Sequence, residues 1–437
     1  MSLGKLTVNT REDGFLCDGK PFFWFADTCW SAFTSITEDD WDYYLTRRAE
    51  QGMNVLQVNT LPQWDRCLPD LGIWPYASED GVHFDWSAPN QEYWDRARRM
   101  CQAAVEHGIR PALVLMWCNY VPGTWGSVIA ERLGAEVMPR EEVRAHVARV
   151  VENLGEFDPV YVVTGDTDFA GDEAIAYYGD VLDEVTKLAP ESLHTMHINR
   201  GNRALPEQFA DRLDFYMFQP GHNYSGQEEA WKLPEDFRAQ YPKKPMVNSE
   251  PCYEQMGASR NVYWRFTAQD CRASVWSSIL AGASAGITYG AHGVWNWQTS
   301  QSRGSVLGEG FDMPFRWQEC LQFAGVWDFG LIEHVLRGLG ATSADGAVAV
   351  EPAQELLDDV REAIRVARVG ERVVVYLPRT TAVKLKLEGS TTAWNAVAFD
   401  LENKCVANLA VVPVDGAVRV AQHPFEHDAL LVVSPAQ

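Results

Sequence analysis

Short apolar segments alternate with amphipathic segments along most of the chain, a pattern typical of a parallel β-sheet wrapped by helices. Periodic segments at 37–52, 93–108, 139–155, 172–190, 267–282 and 316–336 predict helices. The apolar segments between them predict eight strands, which read FFWFADT, NVLQVN, IRPALVLMW, VYVVTGD, LHTMHIN, LDFYMFQ, KPMVNSE and GITYGAHGVWNW. An opening hairpin, LTVNT and GFLCDGKPF, precedes the first strand.

Eight strands with helices between them over roughly 320 residues fit a (β/α)8 TIM barrel best. The alternative is a doubly wound open sheet, but FADTCW stands where such a sheet would carry a Gly-rich phosphate loop. Past Leu339, short alternating runs such as ERVVVYLP, AVKLKLEG, WNAVAFDL and ALLVV predict an antiparallel β-sandwich. We therefore expect a barrel with an N-terminal hairpin over 1–338 and a β-sandwich over 339–437. The sandwich is expected to pack over the barrel, and sugar binding is the alternative role.

Charge and composition narrow the range of partners. The 37 basic and 60 acidic residues give a net charge of −23, which argues against nucleic acid or anionic lipid, because phosphate binding needs a basic surface. A neutral substrate suits this balance better than a strongly anionic one.

No apolar run in the sequence approaches the about 20 residues that a membrane span needs. The opening MSLGKLTVNTREDG has no apolar signal segment, and the nine cysteines form no CxxC pair, so we expect a cytoplasmic protein with reduced thiols.

Chemistry in a TIM barrel lies at the C-terminal ends of the strands. Two carboxylates stand out there, Asp166 after the fourth strand and Glu250 at the end of the seventh. Facing each other across the barrel mouth, two such acids can cleave a glycosidic bond: one protonates the leaving oxygen, and the other attacks the anomeric carbon or activates water. The sequence therefore predicts a glycosidase with these two catalytic residues.

The other strand-end residues are short hydrogen-bonding groups and aromatics, a mixture that suits sugar hydroxyls and the C–H face of a sugar ring. The predicted substrate-binding residues are Asp27, Trp30, Gln57, Asn59, Trp117, Asn119, His197, Gln219, His222, Tyr253, His292 and Trp295, and Asn199 and Trp297 also stand at strand ends. We expect one cavity to bring together the two acids and Asp27, Gln57, Asn59, His197, Gln219 and His222. Among the loop residues Trp64, Trp74 and Trp125, we expect at least one to form a sugar-stacking wall.

Other acids compete with this pair. For Asp27, capping or binding of a sugar hydroxyl is favoured over catalysis. Asp168 lies two residues farther into the loop than Asp166, which favours an exposed or capping role. Glu254 competes with Glu250, but Pro251 ends the strand directly after Glu250 and makes Glu250 the better-held carboxylate.

No metal or cofactor is expected. A metal-dependent amidohydrolase barrel needs an HxH pair on the first strand, which has no His, and His194 and His197 are three apart on a strand and so point to opposite faces. No GxSxG elbow occurs, and the cysteines lack an evident His partner, so acyl transfer is disfavoured.

Several motifs carry a family resemblance. The run GKPFFWFADTCWSAFTSITEDDWDYYLTRRAEQGMNVLQVN resembles the opening of the apiosidase-like glycoside hydrolase family, with its PFF, DT-x-W and Y-L-x-x-R-x-x-QG-x-N-x-x-Q elements. VTGD, FQPGH, SEPCYE and HGVW resemble later motifs of that family in the same order, over about residues 14–330. The tail resembles the β-sandwich, often labelled collagen-binding, that follows this barrel in relatives.

The resemblance implies a role for each acid. The aspartate of the family's GGD motif falls on Asp166, and the glutamate of its EPxYE motif falls on Glu250. Thr164 replaces the first glycine, and TDF follows where Arg or Asn is common, so the sugar stays open. We expect hydrolysis of a neutral glycoside with retention, Asp166 as general acid/base and Glu250 as nucleophile. The alternative is a non-catalytic carbohydrate-binding or scaffolding protein, which an acid turned away from the cavity or a sealed cavity would favour.

Overall fold

A computed structural model describes residues 3–132, 134–259, 262–303, 311–340, 349–358, 363–387, 394–414 and 416–436. Its centre is one sheet of eight parallel strands in the spatial order β5-β4-β3-β2-β1-β8-β7-β6, so that the first strand pairs with the last. Between β5 and β6, the backbone N–H of Asp214 donates to the carbonyl of His194 at 2.9 Å. The predicted (β/α)8 barrel is confirmed. Its strands are β1 (Trp24–Thr28), β2 (Val55–Asn59), β3 (Arg110–Trp117), β4 (Val160–Gly165), β5 (His194–Thr195), β6 (Tyr216–Phe218), β7 (Met246–Asn248) and β8 (Gly286–Tyr289).

One helix follows each strand. The first begins where the sequence predicts it, since the Thr37 side chain accepts a hydrogen bond from the Asp40 N–H at 3.2 Å. Additional helices lie in the loops at Ala32–Ser35, Trp125–Glu131 and Trp317–Cys320, and 3-10 turns lie at Cys118–Tyr120, Gly155–Phe157 and Gln354–Leu356. The eight main helices are α1 (Glu38–Glu50), α2 (Gln91–Glu106), α3 (Arg140–Leu154), α4 (Asp172–Leu188), α5 (Glu207–Ala210), α6 (Glu229–Gln240), α7 (Ala268–Leu280) and α8 (Gly325–Gly338).

The observed elements differ from the predicted ones in several places, and the short helix α5 is among the elements that were not predicted. The α6 helix was not predicted, because Pro234 interrupts its pattern, although the helix continues through that residue. The predicted last helix is divided between Trp317–Cys320 and α8. Strands β5 and β8 are shorter than their apolar segments, and the remainder of each segment forms irregular backbone at the barrel mouth.

The N-terminal segment covers one end of the barrel. It forms a three-stranded antiparallel sheet of Leu6–Val8, Phe15–Cys17 and Lys20–Phe22. The ring of Phe15 lies 5.0 Å from that of Phe215 and 6.2 Å from that of Trp24, the first residue of β1. Because Trp24 begins its strand, this sheet lies at the N-terminal end of the barrel and leaves the C-terminal end open.

The C-terminal region consists of antiparallel sheets that share one apolar core, which includes Val375 from the larger sheet and Leu385 from the smaller one. The predicted β-sandwich is confirmed, although positions 388–389 of the run AVKLKLEG lie outside the described residues. The larger sheet contains Glu351–Pro352, Arg365–Val369, Arg372–Leu377, Ala429–Pro435, Trp394–Asp400 and Val406–Leu409, and the smaller contains Val383–Leu385, Ala417–Val420 and Val411–Val414.

A buried ion cluster joins the sandwich to the barrel. Arg272 of α7 contacts Asp428 of the sandwich at 2.7 Å and Asp328 of α8 at 2.6 Å, and the Tyr376 hydroxyl donates to Asp428 at 3.1 Å. Removing one partner of such a buried pair costs about 3–5 kcal/mol. The cluster therefore holds the sandwich against α7 and α8.

None of the helices in the described segments combines the length and hydropathy that a bilayer crossing needs.

Candidate active site

An open cavity of about 720 Å³ lies at the C-terminal end of the barrel, and both Asp166 and Glu250 line it. Polar groups and aromatic rings share its wall. The remaining lining residues are Trp30, Gln63, Trp64, Asp65, Trp117, Trp125, Asn199, Arg200, Gln219, Gly221, His222, Asn223, Tyr253, Met256, Ser259, Trp295 and Phe311.

Asp166 directly follows β4 in a left-handed conformation, with φ +53°. Its Oδ1 accepts a hydrogen bond from Gln219 Nε2 at 2.6 Å, and its carbonyl oxygen accepts one from the Trp125 indole N–H at 2.7 Å. Gly165 is small for a packing reason, since a Cβ there would lie 2.1 Å from the Trp117 ring. Burial and the charge of Glu250 raise the pKa of Asp166 well above its ordinary value, and the Gln219 hydrogen bond opposes this shift.

Glu250 lies two residues after the end of β7, with hydrogen-bond donors around both carboxylate oxygens. His197 Nε2 is 2.8 Å from Oε2, and His222 Nε2 is 3.1 Å from Oε1. The Tyr253 hydroxyl donates to Oε1 at 2.5 Å. Burial alone raises the pKa of Glu250, but the hydrogen bonds and positive charges of the two histidines outweigh burial and hold that pKa well below its usual value.

A further layer of contacts fixes these donors. His197 Nδ1 lies 3.0 Å from Ser249 Oγ, and the Trp30 indole N–H donates to the Tyr253 hydroxyl at 3.0 Å. Gly290 leaves room for the Tyr253 ring, because a Cβ there would lie 2.0 Å from it. Gln219 Nε2, which donates to Asp166, is also 3.3 Å from His197 Nε2. Because His197 contacts Glu250, the Gln219 amide links the hydrogen-bond partners of the two acids.

The two environments favour opposite protonation states. Asp166 is stabilised as the neutral acid, and Glu250 is stabilised as the carboxylate. Two carboxyl groups with pKa values pushed apart in one cavity can act as a general acid and an anionic nucleophile or base.

The structure brings part of the predicted substrate-binding set to the cavity. Trp30, Trp117, Gln219, His222, Tyr253 and Trp295 line it together with the two acids. Asn199, at the end of the fifth predicted strand, also lines it. The loop residues Trp64 and Trp125 lie on the wall with their rings 5.8 Å apart at 79°, whereas Trp74 lies outside it and donates to Asp70 at 3.0 Å.

The expectation that Asp27, Gln57 and Asn59 line this cavity is wrong. Asp27 is buried and paired with Arg48 at 2.6 Å. Gln57 Nε2 donates to the carbonyl of Ser249 at 3.1 Å, inside the barrel. Asn59 donates to the side chain of Gln63. The Asp27 carboxylate and the Gln57 amide are therefore held by partners elsewhere in the barrel and do not reach the cavity.

Three further predicted residues lie behind the wall. His197 contacts Glu250 directly but is buried. His292 accepts from the Trp295 indole N–H at 3.2 Å, so it supports a lining residue instead of lining the cavity. Asn119 is buried in the 3-10 turn after β3. These three residues stand at strand ends just as the lining residues do, so their positions in the sequence do not show that they are buried behind the wall.

The competing acids face elsewhere. Glu254 accepts from the Tyr289 hydroxyl at 2.6 Å and from the Gly325 N–H at 3.0 Å, so it holds the N-terminus of α8. Asp168 is half-buried beyond the cavity wall. Because neither Glu254 nor Asp168 lines the cavity, Asp166 and Glu250 are the strand-end acids that do.

Sequence reasoning missed lining residues that belong to loops instead of strand ends. Gln63 and Asp65 follow β2, and the Gln63 amide donates to Asp65 at 2.7 Å. Arg200 follows β5, and Phe311 lies in the loop before α8. The PQWD stretch after β2 could have indicated these residues, because an amide, an indole and a carboxylate, all groups that bind sugars, are consecutive in it.

Among the residues that the structure describes, no three His, Cys, Asp or Glu side chains converge as a metal site.

Comparisons with known proteins identify a family and similar folds. The family model described as "Apiosidase-like, catalytic domain" matches residues 12–342. A solved structure described as a glycoside hydrolase has a TM-score of 0.77 and 21% identity, covering 99% of this chain and 97% of its own. A glycoside hydrolase family 5 protein from Bacteroides vulgatus ATCC 8482 has the same TM-score, 0.77, and identity, 21%, over 99% and 93% of the two chains.

A more distant likeness is to a glycoside hydrolase family 5 mannosidase from Rhizomucor miehei, with a TM-score of 0.50 and 13% identity over 75% of this chain and 97% of that one. At these identities the solved structures support the fold only. No curated protein matches the sequence.

Proposed function

The chain belongs to the apiosidase-like catalytic domain family and is a glycosidase, and on this premise we propose that it cleaves a neutral glycoside with Asp166 as general acid/base and Glu250 as nucleophile. The observation that carries the proposal is the pair itself: two carboxyl groups line one open cavity, and their surroundings favour opposite protonation states.

In the first step, the protonated Asp166 donates its proton to the glycosidic oxygen while the bond from that oxygen to the anomeric carbon breaks. The Glu250 carboxylate attacks the anomeric carbon and forms a glycosyl ester. Tyr253, His197 and His222 hold the carboxylate oxygens during the attack.

In the second step, water replaces the leaving group. The Asp166 carboxylate takes a proton from this water, whose oxygen attacks the anomeric carbon and releases Glu250. While Glu250 is an uncharged ester, its charge no longer raises the pKa of Asp166, so that pKa falls and Asp166 becomes a suitable base. Two displacements at one carbon retain the configuration of the sugar.

The cavity suits a neutral sugar. Three acidic residues, Asp65, Asp166 and Glu250, line it with one guanidinium, Arg200, and this balance disfavours an anionic ring. Indole faces such as those of Trp64 and Trp295 can cover the C–H side of a sugar, and amides such as Gln63 can bond its hydroxyls.

The alternative function, carbohydrate binding without hydrolysis, requires an acid turned away from the cavity or a sealed cavity. Both acids line an open cavity, so no observation favours that alternative.

The test is hydrolysis of a panel of p-nitrophenyl glycosides and neutral plant and bacterial polysaccharides by the purified protein, with Glu250→Gln as the matched inactive control. We expect release from at least one neutral substrate by the wild type and loss of several orders of magnitude in the folded variant. A folded Glu250→Gln protein with full activity would contradict the assignment.

A further inference from the structure

A second cavity, of about 660 Å³, lies in the crevice between the barrel and the β-sandwich. The barrel contributes the loops after β6 and β7 and parts of α6 and α7. The sandwich contributes the residues just before Arg365–Val369 and just after Arg372–Leu377. This crevice contains neither of the two catalytic acids, and the glycosidase mechanism makes no use of it.

Aromatic side chains give the crevice the character of a sugar platform. Tyr224 is 57% exposed and Trp264 is 43% exposed, although both are large apolar groups. Neighbouring groups contact two of the rings in this wall: the Trp264 ring packs against Phe266 at 5.4 Å, and the Arg365 guanidinium lies 4.7 Å from the centre of the Trp231 ring. Exposed rings on a fixed support are suited to stack on a ligand.

A buried polar group in the same wall also lacks a partner. Ser274 lines the crevice with 4% exposure, and its hydroxyl has no hydrogen-bond partner among the described residues. A buried hydroxyl without a partner costs free energy, which a hydrogen-bonding ligand or a ligand-held water would recover. Aromatic faces together with a polar group in the same wall fit a carbohydrate better than a purely apolar ligand.

The crevice and the catalytic cavity share a wall. Asn223 lines the catalytic cavity, and Tyr224, the next residue, lines the crevice. The Tyr224 N–H donates to Ser259 Oγ at 3.3 Å, and Ser259 also lines the catalytic cavity. Gln227 fixes this loop by donating to the Asn223 carbonyl at 2.8 Å. A chain of sugars that leaves the catalytic cavity past Asn223 therefore meets Tyr224 next.

We propose that this crevice is a second carbohydrate-binding site, which holds distal sugar residues of the same glycan whose scissile bond lies at Asp166 and Glu250. The proposal rests on the proposed glycosidase function and adds that the substrate is longer than the catalytic cavity. The β-sandwich then forms one side of the substrate path. Short glycosides occupy the catalytic cavity alone and do not reach the crevice.

The first test compares Trp264→Ala with Trp327→Ala, a matched control whose ring is 45% exposed on α8, outside the crevice. We expect Trp264→Ala to raise KM for the best polysaccharide of the panel about tenfold, the loss of one stacked ring. It should leave kcat/KM for the p-nitrophenyl glycoside unchanged, and Trp327→Ala should change neither. An unchanged polysaccharide KM, or an equal loss on both substrates, would overturn the proposal.

The second test needs no hydrolysis, so it separates this proposal from the glycosidase assignment. Affinity electrophoresis of Glu250→Gln in gels containing galactomannan, xylan or arabinogalactan should show retardation in at least one gel. Adding Trp264→Ala should reduce it, and adding Trp327→Ala should not. Absence of retardation in all three gels, or retardation that survives Trp264→Ala, would contradict the second site. Retardation that depends on Trp264, in a wild-type protein that hydrolyses nothing, would support this site and refute the proposed function.

Discussion

The indole N–H of Trp125 donates a hydrogen bond to the backbone carbonyl oxygen of Asp166 over 2.7 Å. Asp166 has a left-handed φ of +53°, a conformation that costs a non-glycine residue about 1–3 kcal/mol unless its surroundings hold it. The indole therefore fixes the backbone that carries the proposed acid, while its ring forms part of the cavity wall.

Trp125→Phe keeps an aromatic ring on the wall and removes this hydrogen bond. We expect kcat to fall about fivefold with a smaller change in KM, because one neutral hydrogen bond contributes about 1 kcal/mol. Steady-state kinetics on a p-nitrophenyl glycoside measure both constants. The control is Trp74→Phe, which removes an indole bond to Asp70 away from the cavity and should leave kcat unchanged. Equal effects of the two substitutions would argue against a positioning role for Trp125.

The pH dependence of catalysis should follow the environment of Glu250. His222 lowers the pKa of Glu250 by hydrogen bonding and charge. His222→Phe keeps the ring packing against Tyr253, where the rings lie 4.1 Å apart, but removes both effects, so the pKa of Glu250 should rise. The acid limb of kcat/KM reports ionisation of the nucleophile and should therefore move to higher pH. A profile whose acid limb stays in place would show that Glu250 does not control it.

The two acids should respond differently to the leaving group. Asp166→Asn removes the proton donor, so glycosylation should be slow with a poor leaving group and much less affected with an activated aryl glycoside. Glu250→Gln removes the nucleophile and should slow both substrates alike. Pre-steady-state rates for a series of aryl leaving groups measure this difference. Equal sensitivity of the two variants to the leaving group would contradict the division of roles.

Most of the fold could be predicted from the sequence because apolar periodicity reports burial directly. The helices that follow β1 to β4 lie close to their predicted limits for this reason. The α6 helix was missed because Pro234 reads as a helix breaker, although its packing in the structure tolerates it. The short β5 and β8 could not be anticipated, because an apolar segment looks the same whether it forms a strand or buried irregular backbone.

The sequence predicts which residues stand at strand ends, but it does not predict which of them line the cavity. Asp166 and Glu250 line the cavity because they come within two residues of the ends of β4 and β7. Asp27 and Gln57 also lie at strand ends, but Arg48 and the Ser249 carbonyl bind their polar groups. These partners lie 21 and 192 positions away along the chain, so no local pattern reveals the pairing.

The stereochemical outcome is a separate prediction. A glycosyl ester on Glu250 followed by attack of water gives net retention, whereas Glu250 acting as a base on water would give inversion. Proton NMR of the first-released sugar, recorded before mutarotation, identifies its anomer. We expect the anomer of the substrate. Initial release of the opposite anomer would show that Glu250 activates water instead of attacking carbon.

Chemical rescue by azide tests the central claim most directly, because it reports the role of each carboxylate in the identity of a product. Azide is a small anion that can occupy the space left by a removed side chain. With an activated aryl glycoside, Asp166→Ala should accumulate the glycosyl ester on Glu250, which azide then opens to a glycosyl azide of the substrate's own anomer. In Glu250→Ala, azide should attack the substrate directly and give the opposite anomer. Exchanged anomers between the two variants, or rescue of neither, would contradict the assignment of Asp166 as acid/base and Glu250 as nucleophile.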